Sequence, residues 1–232
     1  MLAASTTRSA GPVKLAMEHA FSPYTSNGGT TVCIAGEDYC LAAGDTRQSE
    51  GYSINTRYNP KVFPLSNGTV LASTGMAADT RTLVKVLEQR LEWYRHQHEK
   101  QMSPSALAQM LSTILYGKRF FPYYTFNAVA GVDADGRGAI YTYDPVGNME
   151  RVGWDASGSA GNLIQPFLDN QVGYKHQPTH IQGFLPLEAA LRLVKDSFTS
   201  ATERDIHTGD FLEIYIIKAD GVVKELYDLK KD

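Results

Sequence analysis

The alternation of apolar and polar positions divides the chain into strand-like and helix-like segments. Residues 30–35 and 39–44 are two short apolar runs separated by Gly36-Glu37-Asp38, which predicts a hairpin. Because polar residues hardly interrupt the second run, we expect it to be buried on both faces. Residues 45–60 are predicted to form a polar loop. Further strands are predicted at 61–64, 69–73, 126–132, 139–143, 149–154, 211–217 and 222–229.

After Gly75 the period of the apolar positions changes from 2 to 3.6, which predicts helices. Val84, Leu87, Leu91 and Tyr94 fall on one face of a long amphipathic helix. A second helix is predicted to begin at Ser103-Pro104, an N-cap followed by proline, and to end at Gly117. Two more helices are predicted at 160–171 and 187–201.

The predicted order is strands, two helices, strands, two helices, strands. Paired strands interrupted by paired helices argue against a doubly wound parallel sheet. We therefore predict an α+β fold, a four-layer αββα sandwich of two antiparallel sheets, which is the architecture of N-terminal nucleophile hydrolases. Residues 20–232 are predicted to form one domain, and the small and polar residues of 1–19 a disordered tail or propeptide.

Composition and charge narrow the classes of function. The chain has 232 residues, 43% of them apolar, and a net charge of −3, so nothing favours nucleic acid or an anionic membrane as a partner. No apolar run approaches the roughly 18 residues of a membrane-spanning helix. Cys33 and Cys40 lie in apolar runs and are expected to be reduced core thiols. We expect no cofactor and no metal, since phosphate-loop and dinucleotide motifs are absent from the sequence and His96 and His98 would face different ways on a helix.

Five short motifs resemble those of proteasome β subunits and occur in that family's order. In active members, a peptide bond after glycine is cut and the freed threonine becomes an N-terminal nucleophile. Its hydroxyl needs a neighbouring amine to accept a proton, and a nearby lysine cation keeps the pKa of that amine low. The motifs are Gly29-Thr30-Thr31, Gly44-Asp45-Thr46-Arg47, Asn59-Pro60-Lys61, Ser157-Gly158-Ser159 and the segment 200–210.

The resemblance implies a role for each matching residue. Asp45 and Lys61 match the family's acidic and basic residues, and the cluster that supports the amine matches Ser159, Asp205 and Thr208. Counting back sixteen positions from Asp45 places Gly29, which has no hydroxyl, where the nucleophile belongs. Thr30 comes one residue later, so its side chain should point away from Lys61. We therefore predict no catalytic residue, and a vestigial site in which Asp45 and Lys61 form a structural ion pair.

The sequence leaves open two alternatives to the non-catalytic interpretation. A bulge in the first strand would put Thr30 in register and make the chain an active N-terminal threonine hydrolase. The chain could also be a stand-alone binding domain. An aromatic segment, residues 119–124, is either a contact surface for neighbouring chains or part of the core, and residues 21–24 are expected to be an arm on a neighbouring surface.

Further similar segments narrow the resemblance to a non-catalytic subunit of the eukaryotic β ring. They include the segments 116–124, 143–147 and 166–171. The resemblance implies other β subunits and α-ring subunits as partners, indirect contact with regulatory caps, and a location in the cytoplasm and nucleus. It also implies a part in the chamber of ATP- and ubiquitin-dependent protein degradation, and a propeptide that neighbouring subunits trim.

Overall fold

The structure, a computed structural model, describes residues 22–178 and 183–232. The predicted tail at 1–19, as well as Phe21 and His180, lies outside these ranges. Twelve strands and four helices are described within them. They are β1 (Thr30–Ala35), β2 (Tyr39–Asp45), β3 (Gln48–Glu50), β4 (Ser53–Thr56), β5 (Val62–Pro64), β6 (Val70–Gly75), α1 (Ala77–His98), α2 (Pro104–Tyr116), β7 (Thr125–Val132), β8 (Gly138–Tyr143), β9 (Met149–Val152), β10 (Trp154–Gly158), α3 (Gly161–Gln171), α4 (Leu187–Thr202), β11 (Phe211–Lys218) and β12 (Gly221–Asp228).

Two five-stranded antiparallel sheets form the centre of the molecule. The first has the order β10-β1-β2-β11-β12 and the second the order β5-β6-β7-β8-β9, while β3 and β4 form a separate hairpin. Helices α3 and α4 pack on the first sheet through a core that includes Ile164, Val194 and Phe198. Helices α1 and α2 pack on the second sheet. The predicted αββα sandwich is therefore confirmed.

Small side chains fill the layer between the two sheets. This core contains Cys33, Ala42, Ala72, Ala128 and Ala130, each at most 2% exposed. Side chains of this size allow the sheets to approach closely, so strands β1 and β2 are buried on both faces, as was predicted for β2. Both cysteines are free, and burial raises the pKa of Cys40 to about 12, as expected for inert core thiols.

Two sequence predictions about elements are wrong. The predicted loop 45–60 contains the β3–β4 hairpin, which is largely polar and exposed and so lacks an apolar alternation. The predicted strand 149–154 is two strands on either side of Gly153, since β9 pairs with β8 and β10 crosses to the other sheet to pair with β1. Among the described helices, none is long and apolar enough to span a membrane.

Candidate active site

The six residues singled out by the motifs converge at one end of the first sheet. Gly29 directly precedes β1, Asp45 ends β2, and Lys61 lies just before β5. Ser159 follows β10, and the loop between α4 and β11 supplies Asp205 and Thr208. Residues from five places in the sequence are thus brought together, because β10, β1, β2 and β11 are neighbours in the first sheet and β5, which follows Lys61, lies in the sheet packed against it.

Lys61 is 5% exposed and lies beside the end of β2. Its ammonium donates to the carbonyl oxygens of Asp45 at 2.9 Å and Arg47 at 2.7 Å, and it lies 3.3 Å from Asp45 Oδ1. Burial lowers the pKa of Lys61, and the Asp45 carboxylate opposes that shift. The ammonium is held by three oxygens at a fixed position.

Asp45 is fully buried and accepts hydrogen bonds from several backbone amides. The amides of Thr30 and Gly209 donate to it at 2.8 Å and 3.1 Å, and that of Arg47 at 3.3 Å. Burial raises the pKa of Asp45, although Lys61 and the amides of Thr30 and Gly209 act in the opposite direction. Asp45 therefore ties the start of β1 to the loop that precedes β11.

Ser159, Asp205 and Thr208 form a second cluster. The hydroxyls of Ser159 and Thr208 donate to Asp205 Oδ2 at 2.6 Å and 2.7 Å. The amide of Ser159 donates to the Gly29 carbonyl at 3.0 Å. Through Ser159, this cluster fixes the carbonyl group of Gly29.

Gly29 occupies the position that faces the Lys61 side chain. A Cβ atom placed on Gly29 would lie 1.8 Å from Lys61 Cε and 2.7 Å from Nζ. Its φ of +84° is in the left-handed region, which favours glycine. The position beside the ammonium is therefore filled by the lysine itself and has no side chain of its own.

Thr30 points to the opposite side of the sheet. Its Oγ1 lies 2.8 Å from Thr208 Oγ1 and accepts from the Ala160 amide at 3.0 Å. The β1–β10 ladder is regular from Thr30 to Ile34, so the bulge required by the active alternative is not found in this segment. Among the described residues, the hydroxyl of Thr30 and the ammonium of Lys61 have no partner in common.

Sequence reasoning missed two charged residues behind the site. The Arg47 guanidinium is 2% exposed and donates to Asp210 at 2.8 Å and 3.3 Å and to the Ile206 carbonyl at 2.8 Å. Asp210 is fully buried and has a φ of +72°. Both residues lie within motifs already identified. The sequence could have revealed them, because each is a charged residue next to a strand that was predicted to be buried.

The fold and the geometry of the site together define the class of protein. An αββα sandwich in which a buried Asp–Lys pair and a Ser–Asp–Thr cluster flank the start of the first core strand has the architecture of the N-terminal nucleophile hydrolases. Residues 25–217 match the family model described as "Proteasome subunit". The chain belongs to the proteasome subunit family.

Within that family the chain is similar to eukaryotic β subunits of one type. It is 51% identical to proteasome subunit beta type-1-B of Carassius auratus, with 96% of this chain and 92% of that protein covered. It is 53% identical to proteasome subunit beta type-1 of Arabidopsis thaliana, over 93% of this chain and 99% of that protein. Proteasome subunit beta type-6 of Saccharomyces cerevisiae is 49% identical, with 93% of both chains covered.

Proposed function

We propose that this chain is a non-catalytic structural subunit of the proteasome β ring, in the position called β6 or beta type-1. Its partners are other β subunits and α-ring subunits, with regulatory caps in indirect contact. It forms part of the chamber in which ATP- and ubiquitin-dependent protein degradation takes place. The similarity to beta type-1 subunits over most of their length supports this assignment, as does the resemblance of the motifs. The expected location is the cytoplasm and nucleus.

Gly29 is the residue on which the absence of catalysis depends. The position that faces Lys61 has no hydroxyl, and the three atoms nearest to a Cβ placed on Gly29 all belong to the Lys61 side chain. The nitrogen of Thr30 is a backbone amide that donates to Asp45. An amide nitrogen cannot accept the proton of a hydroxyl, so Thr30 has no N-terminal base for as long as the Gly29–Thr30 bond is intact.

Analysis of the N-terminus in the native assembly tests this proposal. The particle would be purified through a different subunit, and this chain's intact mass and N-terminal sequence determined. We expect the chain to be present, the Gly29–Thr30 bond to be intact, and an inhibitor directed at N-terminal threonine to leave this chain unlabelled. A catalytic β subunit in the same particle serves as the positive control for labelling. A mature chain that begins at Thr30 and becomes labelled would establish the active alternative, and a monomeric chain absent from the particle would favour a stand-alone binding domain.

A further inference from the structure

A surface at the end of α2, here called the 116–121 surface, consists of the exposed residues Tyr116, Arg119, Phe120 and Phe121 and the half-buried Lys118. Phe120 is 94% exposed, Phe121 61% and Tyr116 58%, whereas Leu115, one position earlier, is fully buried. The sequence left open whether this segment belongs to the core. The structure places Phe120 outside the core, although Leu115 and Tyr123 on either side of it belong to the cluster beneath α1 and α2.

The backbone of this segment is ordered by successive turns. The amides of Lys118, Arg119 and Phe121 each donate at 3.0 Å to the carbonyl three residues earlier. On one flank, the hydroxyl of Tyr24 donates to the Pro122 carbonyl at 2.9 Å, and its ring centroid lies 5.8 Å from that of Phe121. Tyr24 therefore packs on its own chain, whereas the sequence analysis expected residues 21–24 to be an arm on a neighbouring surface. These contacts hold the segment in one conformation, so little conformational entropy is lost when a partner binds it.

Cations lie against the exposed rings. The Arg119 guanidinium is 5.7 Å from the Tyr116 centroid and 5.3 Å from that of Phe120. The Lys118 ammonium is 4.9 Å from the Tyr123 centroid and 5.9 Å from that of Phe121. Among the residues described, neither cation has a carboxylate within 4.0 Å. A chain with a net charge of −3 thus presents two uncompensated positive charges here.

We propose that the 116–121 surface binds a neighbouring proteasome subunit, through an apolar pocket that receives Phe120 and carboxylates at its rim that meet Arg119 and Lys118. This inference rests on the proposed ring-subunit function and adds the chemistry of one contact. Aromatic and arginine side chains are the residues enriched at the centres of protein interfaces. Carboxylates on the partner would complete the charge balance that the chain itself lacks, and would favour this partner over others.

A competition for incorporation tests the contact. Wild-type and variant full-length chains, distinguished by different tags, would be expressed together in a eukaryotic cell, and their ratio in the purified core particle measured by quantitative mass spectrometry. We expect Phe120→Ser and Arg119→Glu each to lower incorporation by about threefold or more, because loss of an aromatic hot spot weakens binding tenfold or more. Phe120→Tyr and Arg119→Lys should incorporate close to wild-type level. Tyr52→Ser is the matched control, since Tyr52 is 98% exposed in the turn between β3 and β4.

A photo-crosslinking amino acid at position 120 identifies the partner directly. We expect crosslinks to a single different subunit, at a peptide that contains aspartate or glutamate. Equal incorporation of Phe120→Ser and wild type, an equal loss in Tyr52→Ser, or a crosslink to a second copy of this chain would each overturn the inference. These outcomes differ from failure of the proposed function, in which the wild-type chain itself would be missing from the particle.

Discussion

At the scale of single residues, the site depends on which side chain occupies the space between β1 and Lys61. Gly29 leaves that space to the lysine, whose Cε and Nζ lie where a side chain at position 29 would begin. The ion pair with Asp45 is buried, and burial of both charges costs more than their attraction returns, which is why burial lowers the pKa of Lys61 and raises that of Asp45. Such a pair is sensitive to loss of either member.

Gly29→Ala should destabilise the chain more than the same substitution at another glycine whose backbone also has a positive φ. Gly68 is the matched control, because its φ is +81° and a Cβ there would meet nothing within 4 Å in the described structure. We expect Gly68→Ala to cost about 1 kcal/mol from the left-handed backbone alone. Gly29→Ala should cost a further 1–3 kcal/mol or so from crowding against Lys61. Denaturant unfolding of the full chain measures both, and equal costs would show that Lys61 moves aside freely.

Lys61→Met should cost about 3–5 kcal/mol near neutral pH, because it leaves the Asp45 carboxylate buried without its cation. Removal of the cation raises the pKa of Asp45 further. A folded pKa above the unfolded one means that the native state holds the proton more tightly, so the unfolding free energy falls as the pH rises through that window. The substitution should therefore cost less at pH 4.5 than at pH 7.5. The exposed Lys85→Met is the control, expected to cost under about 0.5 kcal/mol at both pH values. A pH-independent cost for Lys61→Met would contradict this account.

At the scale of elements, the segment before β1 completes the start of α1. The N-cap residue of α1, Met76, makes no side-chain cap, and Asn27 Oδ1 accepts the Ala77 amide at 2.8 Å in its place. The backbone of Asn27 bonds the Gly75 carbonyl at 3.0 Å and the Ser49 amide at 3.1 Å. Asn27 is 7% exposed and thus joins the N-terminal segment to a helix fifty positions later.

Asn27→Ala should lower stability by about 1 kcal/mol, the usual cost of losing an N-cap. For a chain of this size that corresponds to a midpoint about 2–4 °C lower. The Oγ of Ser103 accepts a hydrogen bond from the Ala106 amide at 3.2 Å and so caps α2 locally. Ser103→Ala removes this cap and should lower stability by a similar amount. Hydrogen exchange separates the two, since only Asn27→Ala should speed exchange at the first amides of α1. Unchanged exchange there would show that Asn27 is not the cap.

At the scale of the whole molecule, the spacing of the two sheets sets the geometry of the site. Asp45 belongs to one sheet and Lys61 directly precedes a strand of the other, so their 3.3 Å contact exists only while the sheets remain close. Alanine at five described positions in the layer between them permits this approach. The layer is therefore a structural requirement of the site as well as of the core.

Ala128→Leu should test this spacing. Ala128 is 2% exposed between the sheets, and three added carbons in a close-packed layer typically cost 1–3 kcal/mol or more. Ala134→Leu, exposed in the turn between β7 and β8, should change the unfolding free energy by less than about 0.5 kcal/mol. Thermal denaturation of both variants measures the difference. If Ala128→Leu were no less stable than Ala134→Leu, the layer between the sheets would not be closely packed at this position.

The strongly periodic segments were predictable, and the elements missed were those with weak local signals. Helices α1 and α2 were expected from their apolar stripes and the Ser103-Pro104 start, because side chains three and four apart share one helix face. The β3–β4 hairpin has a polar exposed sequence, so packing against the rest of the chain decides its conformation. The change of sheet at Gly153 is a matter of tertiary pairing, which a strand's own residues do not encode.

The sequence by itself determined the strand and helix segments, the family resemblance, and the glycine sixteen positions before Asp45, because periodicity and spacing are properties of the chain. Only the tertiary structure decided that Lys61 fills the space beside Gly29, that Thr30 turns to Thr208 and Ala160, and that Phe120 projects into solvent. These facts depend on which distant residues meet across the two sheets and at the helix ends. Such contacts between residues far apart in the chain arise from packing and from burial of charge, which local sequence does not specify.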